Sequence, residues 1–455
     1  MINMFNYPSQ SYTLQFPHIL AVHALNCFIP NHGLNLLVRL TFLYKETTFS
    51  LILHAENNNF SIMQRNLLSL YIIKLSKWFT LVMPIIVLFY EEHKLGLQDV
   101  FILKSIYSVA AVALEIPSGY IADVWGRRKT LILGCILFFL GYLCYSFTST
   151  FHAFVVAELL LGIGQTMVNG ADSALLYDTT AHYNKENMYL RYEGRITMIG
   201  NFAEAIAGIF GGLLAAYSLR YPFYAQSLIA FSGIPAAFAL REFTSQGKIQ
   251  NPAHEIIRIV KYSLITNKKL CYNIMYSGII GAATLMMAWF VQPVLIHLNT
   301  PTEWFGVIWT ILNLTVGVAA LYSDRVEKYF GMNKMNTLIL LTIAGGYIAL
   351  AYNLTYAGLA VLFVFYIFRG FATPILKGYI NQMTFSEMRA TVLSIRNFII
   401  RLMFAITAPF VGWLNDVYSL KTALLVTAVM ILVPGAIFVW LHYSPCSTNT
   451  NRPVS

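Results

Sequence analysis

Gly119-Tyr-Ile-Ala-Asp123-Val-Trp-Gly126-Arg127-Arg128-Lys129 is the stretch on which the reading of this chain turns. It closes a long apolar run, residues 98–122, with a basic corner. Its parts have separate physical uses. Gly119 lets a second helix come close. Asp123, one turn on, attracts the positive N-terminus of a facing helix. Gly126 permits the tight turn. Arg127 and Arg128 answer the carboxylate and set positive charge at the border of an apolar layer.

Outward from this corner the apolar runs are regular. Residues 66–90, 98–122, 130–149, 151–176, 194–217 and 222–241 read as spans, each near the roughly 20 residues that cross a bilayer. A polar, basic stretch follows, from Glu242 to Lys269. Further spans are expected at 271–297, 303–322, 335–353, 357–381, 391–415 and 420–442. The fold class expected is an all-α polytopic membrane protein of twelve transmembrane helices in two six-helix bundles. The expected organisation is a tail over 1–62, a first half over 63–243, a cytoplasmic linker over 244–269, a second half over 270–443 and a tail over 444–455. The first tail shows no secretory leader. It reads as a cytosolic arm without fixed structure or as an over-extended start ahead of Met63.

Composition agrees. Of 455 residues, 57% are hydrophobic and 11% charged, too few charges to solvate a water-facing surface of this size. The net charge of +10 could suggest nucleic acid, but its distribution gives another cause. Arg127, Arg128, Lys129, Lys185, Arg191, Arg195, Arg241, Lys261, Lys269, Arg325, Lys328 and Arg389 fall in one set of loops. The alternate loops hold Lys94, Arg220 and Lys421. Positive loops face the cytoplasm, so both termini are expected there, in the cell (inner) membrane if the source is bacterial. The five cysteines are scattered without metal spacing, and neither a metal site, a cofactor nor a disulfide framework is expected. No nucleotide-binding loop or hydrolase signature occurs, so neither an ATP-driven pump nor an enzyme is expected.

The halves repeat. Tyr217-Ser-Leu-Arg220 matches Tyr418-Ser-Leu-Lys421, and the same offset places Asp123 on Asp324, Arg127 on Lys328 and Arg195 on Arg396. Two similar rigid halves can rock against each other around a pathway.

The corner at Gly119 to Lys129 resembles the loop 2–3 signature of the major facilitator superfamily, G-x-x-x-D-x-x-G-R-[RK], and the resemblance covers about residues 66–442. It implies a secondary transporter working by alternating access. It also implies a gating role for Gly119, Asp123, Gly126, Arg127 and Arg128, with Asp123 packed against helix 11 in the outward-facing state. The second copy, with Asp324 and Lys328, has Ala320 and Glu327 in place of the two glycines. The fourth span carries Glu158 where the family often has an arginine. The fifth carries Gly208-Ile-Phe-Gly211-Gly212, similar to an antiporter motif but with Ile209 in place of the proline.

Charges inside the spans are functional candidates. Glu158, Glu204 and Asp172 are the candidates for carrying protons. Arg369 and Arg401 are those for substrate, with Arg369 also a possible partner of Glu158. Glu158 alternatively reaches water at an outer interface. Asp172 and Asp178 read first as ion-pair partners of Arg191 and Arg195, with a proton site at either as the alternative, and Arg396 as a partner of Glu115 or Asp123. Trp78, Trp289 and Trp309 read as interfacial or packing residues, and Pro84 and Pro293 as kinks. The expected function is proton-coupled transport of a small molecule by a monomer in the lipid bilayer, leaning to efflux of amphipathic compounds. Uptake of an anionic or zwitterionic nutrient or a metal chelate is the alternative, and a transporter-like ligand sensor is the alternative of another class.

Overall fold

A computed structural model describes residues 62–243, 252–385 and 388–443. The tails expected at 1–62 and 444–455 lie outside them except for Ile62, as does the start of the linker. The described elements are helices α1 (Ile62–Trp78), α2 (Ile86–Glu92), α3 (Leu97–Trp125), α4 (Arg127–Phe147), α5 (Phe151–Val168), α6 (Ala171–His182), α7 (Tyr189–Tyr217) and α8 (Tyr221–Ala239). A short amphipathic α9 (Pro252–Lys261) follows in the linker, then α10 (Lys268–His297), α11 (Thr302–Tyr352), α12 (Gly358–Gln382), α13 (Arg389–Val417) and α14 (Leu420–Tyr443).

Among the described residues, nine helices are long and apolar enough to cross a bilayer, and this is an integral membrane protein. The count understates the passes. α11 has 51 residues, about 76 Å of helix, more than twice a bilayer core of roughly 30 Å. Gly331, at φ +73°, divides it into two passes. The first span, expected to be kinked at Pro84, is broken outright, because proline lacks the N–H and crowds the preceding turn. Backbone from Phe79 to Ile85 is non-helical. Freed backbone groups in an apolar layer need partners. Gln226 of α8 accepts from Leu81 N at 2.8 Å. Gln292 of α10 accepts from Val87 N at 2.8 Å and donates to the Met83 carbonyl at 2.9 Å. α10 itself runs continuously through Pro293.

The halves meet along α3 with α13 and α7 with α11. At one end they close tightly. The backbones of α7 and α11 touch at glycines: a Cβ on Gly306 would collide with the Gly208 carbonyl oxygen, and one on Gly212 would lie 2.9 Å from Gly306 N. Nearby, Asp416 at the end of α13 accepts from Leu97 N at 3.0 Å and Gln98 N at 2.8 Å, capping α3 from the other half. At the opposite end, around Asp123, the halves part, and a cavity of about 1030 Å³ opens there.

Replacing Gly306 by Leu should wedge α7 from α11 and open the Asp416 end. The distance between spin labels at Glu92 and Tyr418 is expected to lengthen by several ångströms; an unchanged distribution would show that the glycine contact does not hold this end shut. Partial burial and the Asp416 carboxylate raise Glu91, at the same rim, above its ordinary value. The closed end therefore holds the Glu91 proton more tightly than an open, hydrated one. Acid should favour closure, with the effect fully present below the ordinary carboxylate range and lost as pH rises through the raised Glu91 value. The same label pair reads this, and Glu91→Gln should abolish the pH dependence.

Candidate functional site

The first-half wall of the cavity carries most of its charges as pairs; Glu115 of α3 also lines it and is in no ion pair among the described residues. Glu158 on α5 is 1% exposed, so it does not reach interfacial water. Its partner is Lys104 of α3, 7% exposed, and not Arg369. Tyr145 of α4 donates to the same carboxylate oxygen at 2.6 Å and Tyr90 of α2 at 3.1 Å. Lys104 also stands 5.0 Å from the Trp289 ring centre, a cation–π contact that reaches the second half. Lys104 had a signal in the sequence: it is a lone cation inside the apolar run 98–122.

α5 and α6 are one span interrupted at Asn169 and Gly170, the latter at φ +83°. Lys77 donates to the Asn169 side chain there. Asp172, at the start of α6, faces the cavity and lies 3.8 Å from Lys74. Asp178 binds Arg127. Both carboxylates are thus in ion pairs, but with cations of α1 and α4 in place of Arg191 and Arg195, because the break after α5 turns α6 toward those helices.

The second-half wall differs. Arg369 and Lys377 of α12 and Arg396 and Arg401 of α13 line the cavity, and among the described residues none of these four pairs with a carboxylate. Arg396, expected beside Glu115 or Asp123, donates instead to Ser277 Oγ at 2.5 Å and to Asn397 Oδ1 at 3.2 Å. The open end keeps the two halves apart at that level. Arg401 stands 5.9 Å from the Tyr107 ring and Arg369 5.1 Å from that of Tyr366. One guanidinium nitrogen of Arg369, Nη1, is buried without a hydrogen-bond partner. Glu204 of α7, across the halves, feels Arg369 as its opposing charge but makes no ion pair with it. Glu204 lines a smaller pocket of about 240 Å³ that shares Met83, Lys104, Tyr107, Gln165 and Trp289 with the large cavity.

The corner motif sits at the open mouth. Arg127 bridges Asp178 and Asp123, the latter at 3.9 Å, and its backbone N–H donates to Glu242 at 2.5 Å. Gly126 has φ +108°, where a Cβ would press on the Glu242 carboxylate. Arg128 donates to the Phe238 carbonyl at 2.7 Å. Asp123 is 63% exposed, and a Cβ on Gly119 would meet nothing within 4 Å. The close approach expected of these two is not made in this state, because their end is open. In the second copy Lys328 and Asp324 pair at 2.8 Å, both 71% exposed.

The Major Facilitator Superfamily family model matches residues 76–400. The chain belongs to that superfamily. It is accordingly a transporter, not an enzyme. Among major facilitator relatives, the uncharacterized MFS-type transporter YxaM of Bacillus subtilis is 20% identical over 363 residues, 77% of this chain and 89% of its own length. The methyl viologen resistance protein SmvA of Salmonella typhimurium is 26% identical over 167 residues, 35% of this chain and 32% of SmvA. The fold is shared with the nucleoside transporter NupG: TM-score 0.70, 14% identity, 84% of this chain and 100% of NupG.

Breaking the buried Lys104–Glu158 pair by Glu158→Gln strands a cation and should cost about 3–5 kcal/mol. The double variant Lys104→Met with Glu158→Leu should recover most of that. Thermal unfolding of the purified variants measures both; equal losses in the single and double variants would refute the pairing as a stabilising unit.

Proposed function

We propose that this transporter is a proton-coupled symporter that moves an organic anion by alternating access. The observation that carries the reading is the second-half wall, where Arg369, Lys377, Arg396 and Arg401 face the cavity in no ion pair among the described residues, with Glu204 and Glu115 opposing Arg369 and Arg401 only across the space between the halves. Cations left unpaired in a low-dielectric site are costly and attract counter-charge. Arg369, with an unpartnered nitrogen, is the substrate's main contact, and Arg401 the second. The cavity's open mouth faces the cytoplasm on the basic-loop argument, and the protein acts as a monomer.

Coupling follows from Glu204. Without substrate, its carboxylate and Arg369 attract across the halves. An anion on Arg369 removes that attraction, so proton binding to Glu204 becomes easier. By linkage the proton strengthens anion binding equally. Positive cooperation between proton and substrate is what symport needs. Asp172, held by Lys74 at the mouth, is the next carrier on the way out. Glu158, enclosed by a lysine and two tyrosines, has a positioning role.

The second reading is efflux of amphipathic compounds. Its support is the likeness to a protein named for methyl viologen resistance and the glycines of α7.

Proteoliposomes decide between them. A gradient acid on the outside should drive accumulation of an organic anion, and a protonophore should abolish it. In cells, the protonophore lowers accumulation under symport and raises it under efflux; binding without flux in either system would indicate a sensor. Anion affinity should rise as pH falls. Glu204→Gln should flatten that dependence and abolish gradient-driven accumulation while leaving anion exchange; intact coupling in this variant overturns the assignment. Arg369→Gln should weaken anion binding about tenfold or more, the loss of one charge-assisted contact of ~1.5–3 kcal/mol.

A further inference from the structure

The smaller pocket beside the cavity has a chemistry that the cationic wall does not explain. Its walls are mainly aromatic and aliphatic, with Trp78, Phe138, Tyr142, Leu161 and Phe223 from the first half and Trp289 from the second, and Lys77, Lys104, Glu158, Gln165 and Glu204 set among them. Its volume is about 240 Å³. An apolar cavity of about 150 Å³ accepts a benzene molecule, so this one has room for two fused rings.

Two polar atoms in these walls are without partners. The indole N–H groups of Trp78 and Trp289 are both buried and make no hydrogen bond. Trp289 is 8% exposed and lines both the pocket and the large cavity. A buried donor with no acceptor costs about 1–3 kcal/mol, and lone tryptophan N–H groups usually find a partner when buried. Two of them on one small, mainly apolar pocket call for an acceptor that comes and goes. In the chain alone each tryptophan reads as an interfacial or packing residue before an aromatic substrate cage, because nothing local brings Trp78 and Trp289 together. What makes the pocket is the break at Phe79–Ile85, which ends α1 at Trp78.

We propose that this pocket is the substrate's second subsite and takes a planar aromatic or heteroaromatic ring, with an acceptor atom at its edge meeting the Trp289 and Trp78 N–H groups. The assignment rests on the organic-anion reading for the other end of the substrate, which lies toward Arg369. The substrate is then an aromatic acid, ring between the two tryptophans and anionic group on the opposite wall. Lys104 is already over the Trp289 ring, so that face is occupied, and the incoming ring uses the edge and the pocket beyond.

Binding is measured on the purified full-length protein in detergent by calorimetry, with naphthoate, quinoline carboxylate, hexanoate and naphthylmethylammonium as probes. Naphthoate should bind at least about tenfold tighter than hexanoate, the gain from burying ring surface in an apolar pocket. Quinoline carboxylate, which adds a ring nitrogen as acceptor, should equal or exceed naphthoate. Trp289→Leu should remove the aromatic advantage, weakening naphthoate about tenfold more than hexanoate. Trp289→Phe, which keeps a ring but no N–H, should weaken quinoline carboxylate more than naphthoate, and serves if the leucine variant does not fold. Equal affinities for naphthoate and hexanoate, unaffected by Trp289, overturn the subsite and leave the anion reading standing. Binding of naphthylmethylammonium in preference to both acids overturns the anion reading and leaves the ring subsite standing. Failure of every probe to bind at millimolar concentration overturns both.

Discussion

A charged side chain inside the hydrocarbon layer must have a partner or water. The arrangement of the two halves follows from how each meets that condition. In the first half the condition is met internally. Lys104 has Glu158, Lys74 has Asp172, and Arg127 has Asp178 and Asp123. Each pair ties one helix to another or to the next span, so the half holds its shape without help from solvent. In the second half, Arg369, Lys377, Arg396 and Arg401 have no such partners among the described residues. They require a wet cavity, and the cavity is the space between a wall whose cations are paired and one whose cations are not. The asymmetry exists despite the repeat. The offset that puts Arg195 on Arg396 matches charge at the motif level only, and the lining residues have diverged.

Much of this could be read from the chain and some could not, for reasons tied to distance. The spans were legible because a bilayer imposes a length on each apolar run. The corner at Gly119 to Lys129 was legible because all its parts are local, and its Asp123–Arg127 pair is one helical turn apart. Glu158 was recognisable as an unusual carboxylate. Its partner was not, since Lys104 lies 54 residues away and meets it through the packing of α3 on α5. Arg369 was the more conspicuous cation because it stands before Gly370 near the middle of its span, and that made it the wrong partner. Asp172 and Asp178 looked toward the nearest basic loop; the break at Asn169–Gly170 sends them elsewhere, and a broken helix has little signature beyond the glycine. Pro84 announced a disturbance, but whether a proline kinks or breaks a helix depends on what satisfies the freed backbone. Here that is Gln226 and Gln292, far along the chain.

Gln292 also shows why only one end of the cavity is open. It serves the broken first span from across the halves, so its bonds to Val87 and Met83 exist only while that end is shut. The same holds for Asp416 on α3 and for the glycine contact of α7 with α11. Among the described residues, these contacts between rigid bodies are made at one end, while at the other Gly119 and Asp123 face open space. Rocking the halves the other way must break all three at little net cost, or the protein would stay locked. The motif end holds the compensation. On the gating role we propose for this corner, closing it would bring Gly119 against a facing helix and Asp123 toward that helix's N-terminus, an attraction worth up to ~2 kcal/mol. A backbone cap, a glutamine bridge and a glycine seam are interactions of the same size. A strong buried ion pair between the halves would be too large to balance, and those pairs are kept within the first half, where transport does not have to break them.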